Sequence, residues 1–489
     1  MREISSPVAA TGEGIVDAFA RLVEQRSTEG MVVSPGRRST FGDVDTLAQD
    51  VSDRVATVGL QRGTLVGLAA GSGPAFFAGL LALRRLGIAV LLLDPLAPVE
   101  DRRRAARSLG ANAVLDCVDG WPSSGAAFHI HRIQPPVAMR SRADVAIVKL
   151  TSGSTGAPRG VAMCSEHVLA DEAALAHTMG LRATDRLLAA IPLSHSYGFT
   201  TLALSALVRG LTLVVPADRG PFSSLAAART LQATVFPTIP AYIQALLKLT
   251  PPPSWPESIR LVISAGAFLP SATAAKFREV YGQPVHAFYG ASECGGICYD
   301  REGGAAERGT VGTPVEGVRL SLRAVDPEAP EEGVITVESS GVGATYLPEP
   351  DSRLGAGSFA TSDIGVWEGD EVVLRRRVDR VINVRGRKVD PGEVERVLAD
   401  IDGVDEVVVI GVPGPTGDEI VRAIVAGPLA RRLHYRDVAV WCRQRLADHK
   451  VPRSVVFLEA IPRTSRGKVD RAALVALVPS DVHPVPTHE

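Results

Sequence analysis

Short, uninterrupted apolar runs alternate with helix-length segments along the chain, and this rhythm restricts the fold more than any other feature. Leu65–Ala70, Ala89–Leu93, Ala113–Leu115, Val145–Leu150, Leu187–Ile191, Leu213–Val215 and Leu261–Ser264 read as strands. Gly14–Gln25, Pro74–Arg85, Thr200–Leu207 and Pro240–Lys248 read as helices interspersed with them. A strand with one wet face alternates apolar and polar residues, whereas a continuously apolar strand is covered on both faces. Strands joined through helices form largely parallel sheets, so the pattern predicts layered α/β subdomains.

After about Gly309 the character changes. Val318–Val325, Gly333–Glu338 and Glu371–Arg375 alternate and are separated by Gly/Pro turns, which predicts a small β-rich subdomain. From Asp379 the segments Pro391–Asp400 (helix), Val404–Ile410 and Val421–Ala426 (strands), Arg436–His449 (helix), Ser454–Leu458 (strand) and Asp470–Leu477 (helix) predict an α+β mini-domain. A length of 489 residues calls for more than one domain. The expected division is an N-terminal domain over 1–378, a C-terminal domain over 379–480, and a tail, 481–489, that frays.

Composition removes several function classes. The net charge is −2 with interspersed signs, so there is no electrostatic footprint for nucleic acid. The hydrophobic stretch Ala75–Leu93 is broken by Arg84, Arg85 and Gly87, and reads as a buried helix followed by a buried strand rather than a membrane span. The opening MREISSPVAATGEG lacks the apolar core of a signal peptide. Five cysteines, an odd number, fit free thiols in a reducing compartment, and a cytoplasmic location is expected. Cys294 and Cys298 have C-x-x-x-C spacing but lack two further ligands for zinc, and read as structural thiols.

The segment Leu150–Gly160, LTSGSTGAPRG, directly follows a predicted strand. Its glycines let backbone N–H groups converge on an anion, and its hydroxyls add donors. The composition admits a phosphate cradle or a plain Ser/Gly turn. It is not a Walker loop, because the G-x-x-x-x-G-K-[ST] spacing is absent.

This loop closely resembles the signature of the adenylate-forming superfamily: acyl-CoA synthetases, adenylation domains and luciferases. The matching positions are Thr151, Ser152, Gly153, Ser154, Thr155, Gly156, Pro158, Arg159 and Gly160; the family usually has Lys at the position of Arg159. Further blocks follow in the family's order: PLSHSYG from Pro192, YGASE from Tyr289, TSD from Thr361, RVDRVINVRGRK from Arg377 and PRTSRGKVD from Pro462. The resemblance extends over most of the chain and is most like a stand-alone acyl- or aryl-acid CoA ligase.

The resemblance implies a role for each block. The signature loop, through Thr151–Gly156 and Arg159, would hold the phosphates of ATP. Glu293, with Thr155, would bind Mg²⁺, whose hard charge needs oxygen ligands. Tyr289 would stack on adenine, with Gly290, Ala291 and Ser292 beside it and Ser264, Ala265 and Gly266 forming the adenine-side turn. Asp363 would accept from the ribose hydroxyls, although Ser362 stands where the family usually has Gly. Arg377 would contact ribose and phosphate, and Lys388 also belongs to the nucleotide-binding set. Lys468, a compact charge on a long stem, would reach the α-phosphate and the acid. Asp379 would be a hinge about which the C-terminal domain turns. Gly386 would then leave room for a pantetheine arm.

His195 would lie between acid and phosphates as a catalytic residue. Candidate walls of the acid pocket are Tyr197, Phe199, Phe236, Thr238, Ile239, Ala265, Ala267, Phe288 and Cys294, a largely apolar set. Amino-acid-activating relatives place an aspartate within the block that here reads Leu193-Ser194-His195-Ser196, and none is present. The expected activity is therefore ATP-dependent activation of a non-amino acid, fatty or aryl, followed by transfer to coenzyme A. Three alternatives stay open: transfer to the phosphopantetheine of a carrier protein, a non-catalytic nucleotide-binding relative, and an oxygenase like luciferase.

Overall fold

The hydrophobic stretch Ala75–Leu93 divides as read, into a helix Pro74–Arg85 and a strand Ala89–Leu92, both buried. The computed structural model describes residues 14–133, 144–151, 158–218, 220–325, 330–378, 382–384, 387–414, 419–427, 432–464 and 469–477. No helix among them is long and apolar enough to cross a membrane. Pro74 at the first helical position costs no hydrogen bond there. The side chains from Pro74 to Leu83 are all buried, and each fully buried Leu or Phe contributes roughly 1.5–3 kcal/mol.

Two large sheets follow. In the first, Gly30–Ser34, Thr212–Val214, Arg186–Leu188, Val235–Thr238, Leu261–Ser264 and His286–Ala291 run parallel. Antiparallel strands flank this run, Arg37–Thr40 on one side and Gly295–Tyr299 then Thr313–Pro314 on the other. The register Phe236↔Val262 and Thr238↔Ser264 brings two strand ends level. Loops leaving them share the carboxyl edge, where open α/β sheets bind ligands. In the second sheet Ile147–Thr151, Ala89–Leu92, Leu65–Ala70 and Ala113–Cys117 run parallel. Arg159–Met163 and then Thr345–Leu347 extend it antiparallel. The fold is thus the expected mixed α/β with largely parallel sheets.

The expected helix Thr200–Leu207 takes a different form. Phe199–Leu204 is wound as a π-helix between short α-helical turns, Ser196–Gly198 and Ser205–Arg209. Two threonine hydroxyls account for the local departure. Thr201 Oγ1 donates to the Tyr197 carbonyl at 2.6 Å and Thr200 Oγ1 to Asp171 Oδ2 at 3.0 Å. Such side-chain bonds compete with the regular ladder.

The chain forms two compact units: Met1–Ser321, Thr336–Thr361 and Trp367–Val373 make one, and Leu322–Ile335, Ser362–Val366 and Leu374–Glu489 the other. Within the second unit, Glu406–Pro413, Glu419–Ala426 and Ser454–Leu458 form a sheet. Helices Pro391–Ala399 and Tyr435–Arg443 carry apolar residues into its core through Val394, Leu398, Val438 and Cys442. The hairpin Ile382–Val384 with Arg387–Val389 packs there through Ile382 and Val389. The tail 481–489 lies outside the described residues.

Candidate active site

The signature loop connects two paired strands. Ile147–Thr151 and Arg159–Met163 are antiparallel neighbours with Thr151 opposite Arg159 and Leu150 opposite Gly160. Gly160 is required by space: a Cβ there would sit 2.6 Å from Val148 Cγ1 and 3.1 Å from Leu109 Cδ1. Ser152, Gly153, Ser154, Thr155 and Gly156 themselves lie outside the described residues, as do Asp379, Gly386 and Lys468. Lys388 is described only as backbone in its hairpin strand.

Arg159 is tied on two sides. Its Nη1 reaches Asp351 Oδ2 at 3.3 Å, and its guanidinium lies over the Tyr346 ring, 4.1 Å from the centroid. A planar guanidinium can stack and form a hydrogen bond together, which a lysine ammonium does less well. Asp351 also accepts from Arg353 at 2.9 Å. That hydrogen bond holds the Asp351 carboxyl well below the usual carboxylate range.

Tyr346 joins this cation to the candidate metal carboxylate. It is 3% exposed, and its hydroxyl donates to Glu293 Oε1 at 2.9 Å. Burial, reinforced by the Glu293 charge, pushes the phenol well up, so it stays a donor. Glu293 sits in the turn between His286–Ala291 and Gly295–Tyr299, and its carbonyl accepts from Gly343 N at 2.8 Å. An ionised carboxylate can accept about four contacts, and Tyr346 takes one. The donor set fits Mg²⁺, which takes one or two carboxylates and completes its shell with phosphate and water. No cluster of three metal-ligating side chains occurs among the described residues, and Mg²⁺ on a nucleotide needs none.

Tyr346 was not visible in the sequence reading: it lies 53 positions from Glu293. Replacing it with Phe removes a hydrogen bond to a charged group, a loss of about 1.5–3 kcal/mol. We expect Tyr346→Phe to lower adenylation roughly 10- to 100-fold at low Mg²⁺ and less at high Mg²⁺. A magnesium titration of pyrophosphate release checks this, and an unchanged titration curve would contradict it.

The adenine-side residues fall on the carboxyl edge. Ser264 and Ala265 are buried at the end of Leu261–Ser264, and Gly266 and Ala267 are exposed in the loop beyond. Gly266 has φ +84°, a conformation that favours glycine. Tyr289, Gly290 and Ala291 end the strand His286–Ala291, with Ser292 in the turn before Glu293. Tyr289 is half-buried, Gly290 is exposed, and Ala291 and Ser292 are half-buried.

Only part of the expected acid pocket is brought together. His195 precedes the short helix Ser196–Gly198 as its N-cap, half-buried. Tyr197 donates to the Ile263 carbonyl at 3.2 Å, and its ring lies 5.4 Å from that of Phe288. Ile239 stands at the strand end, 3.9 Å from where a Cβ on Gly266 would be. Phe236 is elsewhere: it is fully buried against Tyr242 and Trp255 in a core shared with Val262 and Ala287. Side chains alternate along a strand, so Phe288, next to Ala287, projects from the opposite face. Phe199 is also fully buried, packed on Phe76. Cys294 is fully buried and burial pushes its thiol well up, as for Cys298.

Asp363 and Arg377 belong to the second unit and face each other there, Arg377 Nη1 lying 3.5 Å from Asp363 Oδ1.

Comparison with known proteins identifies the family. The family model of AMP-binding enzymes matches residues 19–347, and that of the AMP-binding enzyme C-terminal domain matches residues 393–468. Feruloyl-CoA synthase from Amycolatopsis sp is 26% identical over 460 residues, covering 89% of this chain and 93% of the relative. The long-chain-fatty-acid–CoA ligase FadD13 of Mycobacterium tuberculosis is 27% identical over 477 residues, covering 89% and 92%. Among solved structures, o-succinylbenzoate CoA synthetase from Bacillus subtilis in complex with its acyl-adenylate intermediate superposes with a TM-score of 0.79 at 21% identity, covering 96% of this chain and 99% of that one. The chain belongs to the AMP-binding enzymes.

Proposed function

We propose that this enzyme activates a non-amino carboxylic acid, aryl or fatty, with ATP and passes the acyl group to the thiol of coenzyme A. The acid's carboxylate oxygen attacks the α-phosphorus of ATP, an acyl–AMP bond forms, and pyrophosphate leaves. The CoA sulfur then attacks the acyl carbon, a thioester forms, and AMP leaves. The observation that carries the reading is the contiguous chain Arg159–Tyr346–Glu293, which sets a cation and a carboxylate at the base of the signature loop. Attack of one anion on another needs such charge control and in-line placement.

In this reading Thr151–Gly156 and Arg159 hold the phosphates, and Glu293 with Thr155 would hold Mg²⁺. That ion, when bound, offsets charge on the phosphates. Tyr289 and the turn Ser264–Gly266 receive adenine, and Asp363 and Arg377 the ribose. Lys388 completes the nucleotide contacts. Lys468 bridges acid and α-phosphate in the first step. Asp379 is the hinge about which 379–480 turns for the second step, and Gly386 lines the route of the thiol. His195, Tyr197, Phe288, Ile239 and Ala267 border the acid. All five cysteines are free thiols, which supports a reducing, cytoplasmic setting.

The relatives named above act on feruloyl and long-chain fatty acyl groups, and Tyr197 against Phe288 offers an aromatic wall suited to either. The absence of an acidic residue at Leu193–Ser196 leaves nothing there to pair an α-ammonium. A panel of aryl, fatty and amino acids with ATP and CoA, read by mass spectrometry of the thioester, tests the assignment. Thioesters of aryl or fatty acids are expected. Products from amino acids alone would overturn it, and acyl-adenylate that accumulates until a carrier protein is added would make the carrier's thiol, in place of CoA, the acceptor.

A further inference from the structure

Beneath the site lies a lysine with almost no access to water. Lys149, on the strand that enters the signature loop, is 1% exposed. Its Nζ lies 3.8 Å from Asp171 Oδ2 and donates to Thr200 Oγ1 at 3.4 Å, and Thr200 Oγ1 donates in turn to the same Asp171 oxygen at 3.0 Å. Asp171 comes from the helix Ser165–Thr178 and is 4% exposed. Its other oxygen, Oδ1, accepts from the Gly296 amide at 2.9 Å.

Gly296 and Gly295 close the turn that carries Glu293. Gly295 has φ +75°, and a Cβ there would run into the Asp171 carboxylate. Gly341 packs on Asp171 as well, close enough that a Cβ on it would lie 3.2 Å from Asp171 Cβ. Thus one carboxylate touches the loop strand through Lys149, the π-helix through Thr200 and the Glu293 turn through Gly296.

Burying two charges is expensive, and a well-packed apolar pair of similar volume often folds at least as well. Burial pushes the Lys149 ammonium down and the Asp171 carboxyl up, each opposed by the other's charge. An apolar pair could fill the same space, but it could not accept from the Gly296 amide or join that turn to the strand of Lys149.

We propose that Lys149 and Asp171 are positioning residues that lock the Glu293 turn to the strand launching the signature loop, fixing the metal carboxylate relative to the bound phosphates. This rests on the reading of Glu293 as the metal carboxylate. Neither residue touches substrate; both act through Glu293. Partners of this kind behind a metal ligand tune metal affinity 10- to 100-fold in other proteins.

The test is the double variant Lys149→Met/Asp171→Leu, which removes both charges and the Gly296 acceptor. Its Mn²⁺ affinity in the presence of ATP, by electron paramagnetic resonance titration, is expected to fall about tenfold, with the KM for the acid nearly unchanged. Full Mn²⁺ affinity in the folded variant would overturn the proposal. Should that variant not fold, Lys149→Met/Asp171→Asn keeps an acceptor for Gly296 and loses only the tie to the loop strand; a weaker Mn²⁺ site supports the proposal and an unaltered one overturns it. Glu293→Gln is measured alongside. If it leaves Mn²⁺ affinity intact, the metal-carboxylate reading fails. If it weakens Mn²⁺ while the double variant does not, the positioning role alone fails.

Discussion

Replacing Lys468 with alanine is expected to lower acid-dependent pyrophosphate release roughly 100- to 1000-fold, the usual cost of removing one group that stabilises transition-state charge. Thiol transfer from a supplied acyl-adenylate should be largely kept. The asymmetry follows from chemistry. In the first step negative charge gathers between the carboxylate and the α-phosphate, where an ammonium on a flexible stem can serve both. In the second step the attacking atom is a thiol and negative charge develops on the acyl oxygen. Arg463 and Val469, on either side of the segment containing Lys468, pair as an antiparallel bridge. Separate assays of the two half-reactions decide the matter. Equal losses in both, or in neither, would remove Lys468 from the role given to it.

Glu293→Gln is the second large effect. The amide keeps the size of the side chain and can still accept from Tyr346 Oη, so the fold should be retained. It loses the charge that a hard cation requires. We expect adenylation to fall about 100-fold at low millimolar Mg²⁺, with partial recovery as Mg²⁺ is raised. A comparable loss that no Mg²⁺ concentration relieves would contradict the metal role.

Much of the scaffold was legible because it rests on local pattern. Leu65–Ala70, Pro74–Arg85, Leu261–Ser264 and Ser454–Leu458 begin and end where the apolar runs do. The signature loop was legible because its glycines and hydroxyls are contiguous. What escaped depends on pairs distant in sequence. Asp171 meets Gly296 across 125 positions, and Arg159 meets Asp351 across 192. No periodicity marks such partners; Tyr346 carries no signal of its own in the sequence, and its pairing with Val161 brings it beside Arg159. From sequence alone Phe236 reads as a wall of the acid pocket, because apolar residues near a strand end look alike. The register settles which face each takes, and Phe236 joins the core with Val262. The π-helix at Phe199–Leu204 is a similar case, since the Thr200 bond to Asp171 is tertiary.

On this enzyme the acid should be joined to AMP before any thiol is engaged. Its most direct test is exchange of labelled pyrophosphate into ATP, without CoA, in the presence and absence of an acid that the enzyme converts to a thioester. Exchange that depends on both the acid and Mg²⁺ is expected, with AMP rather than ADP as the product once CoA is added. Thioester formation with release of ADP and orthophosphate, or ATP binding with no acid-dependent exchange for any acid, would contradict it.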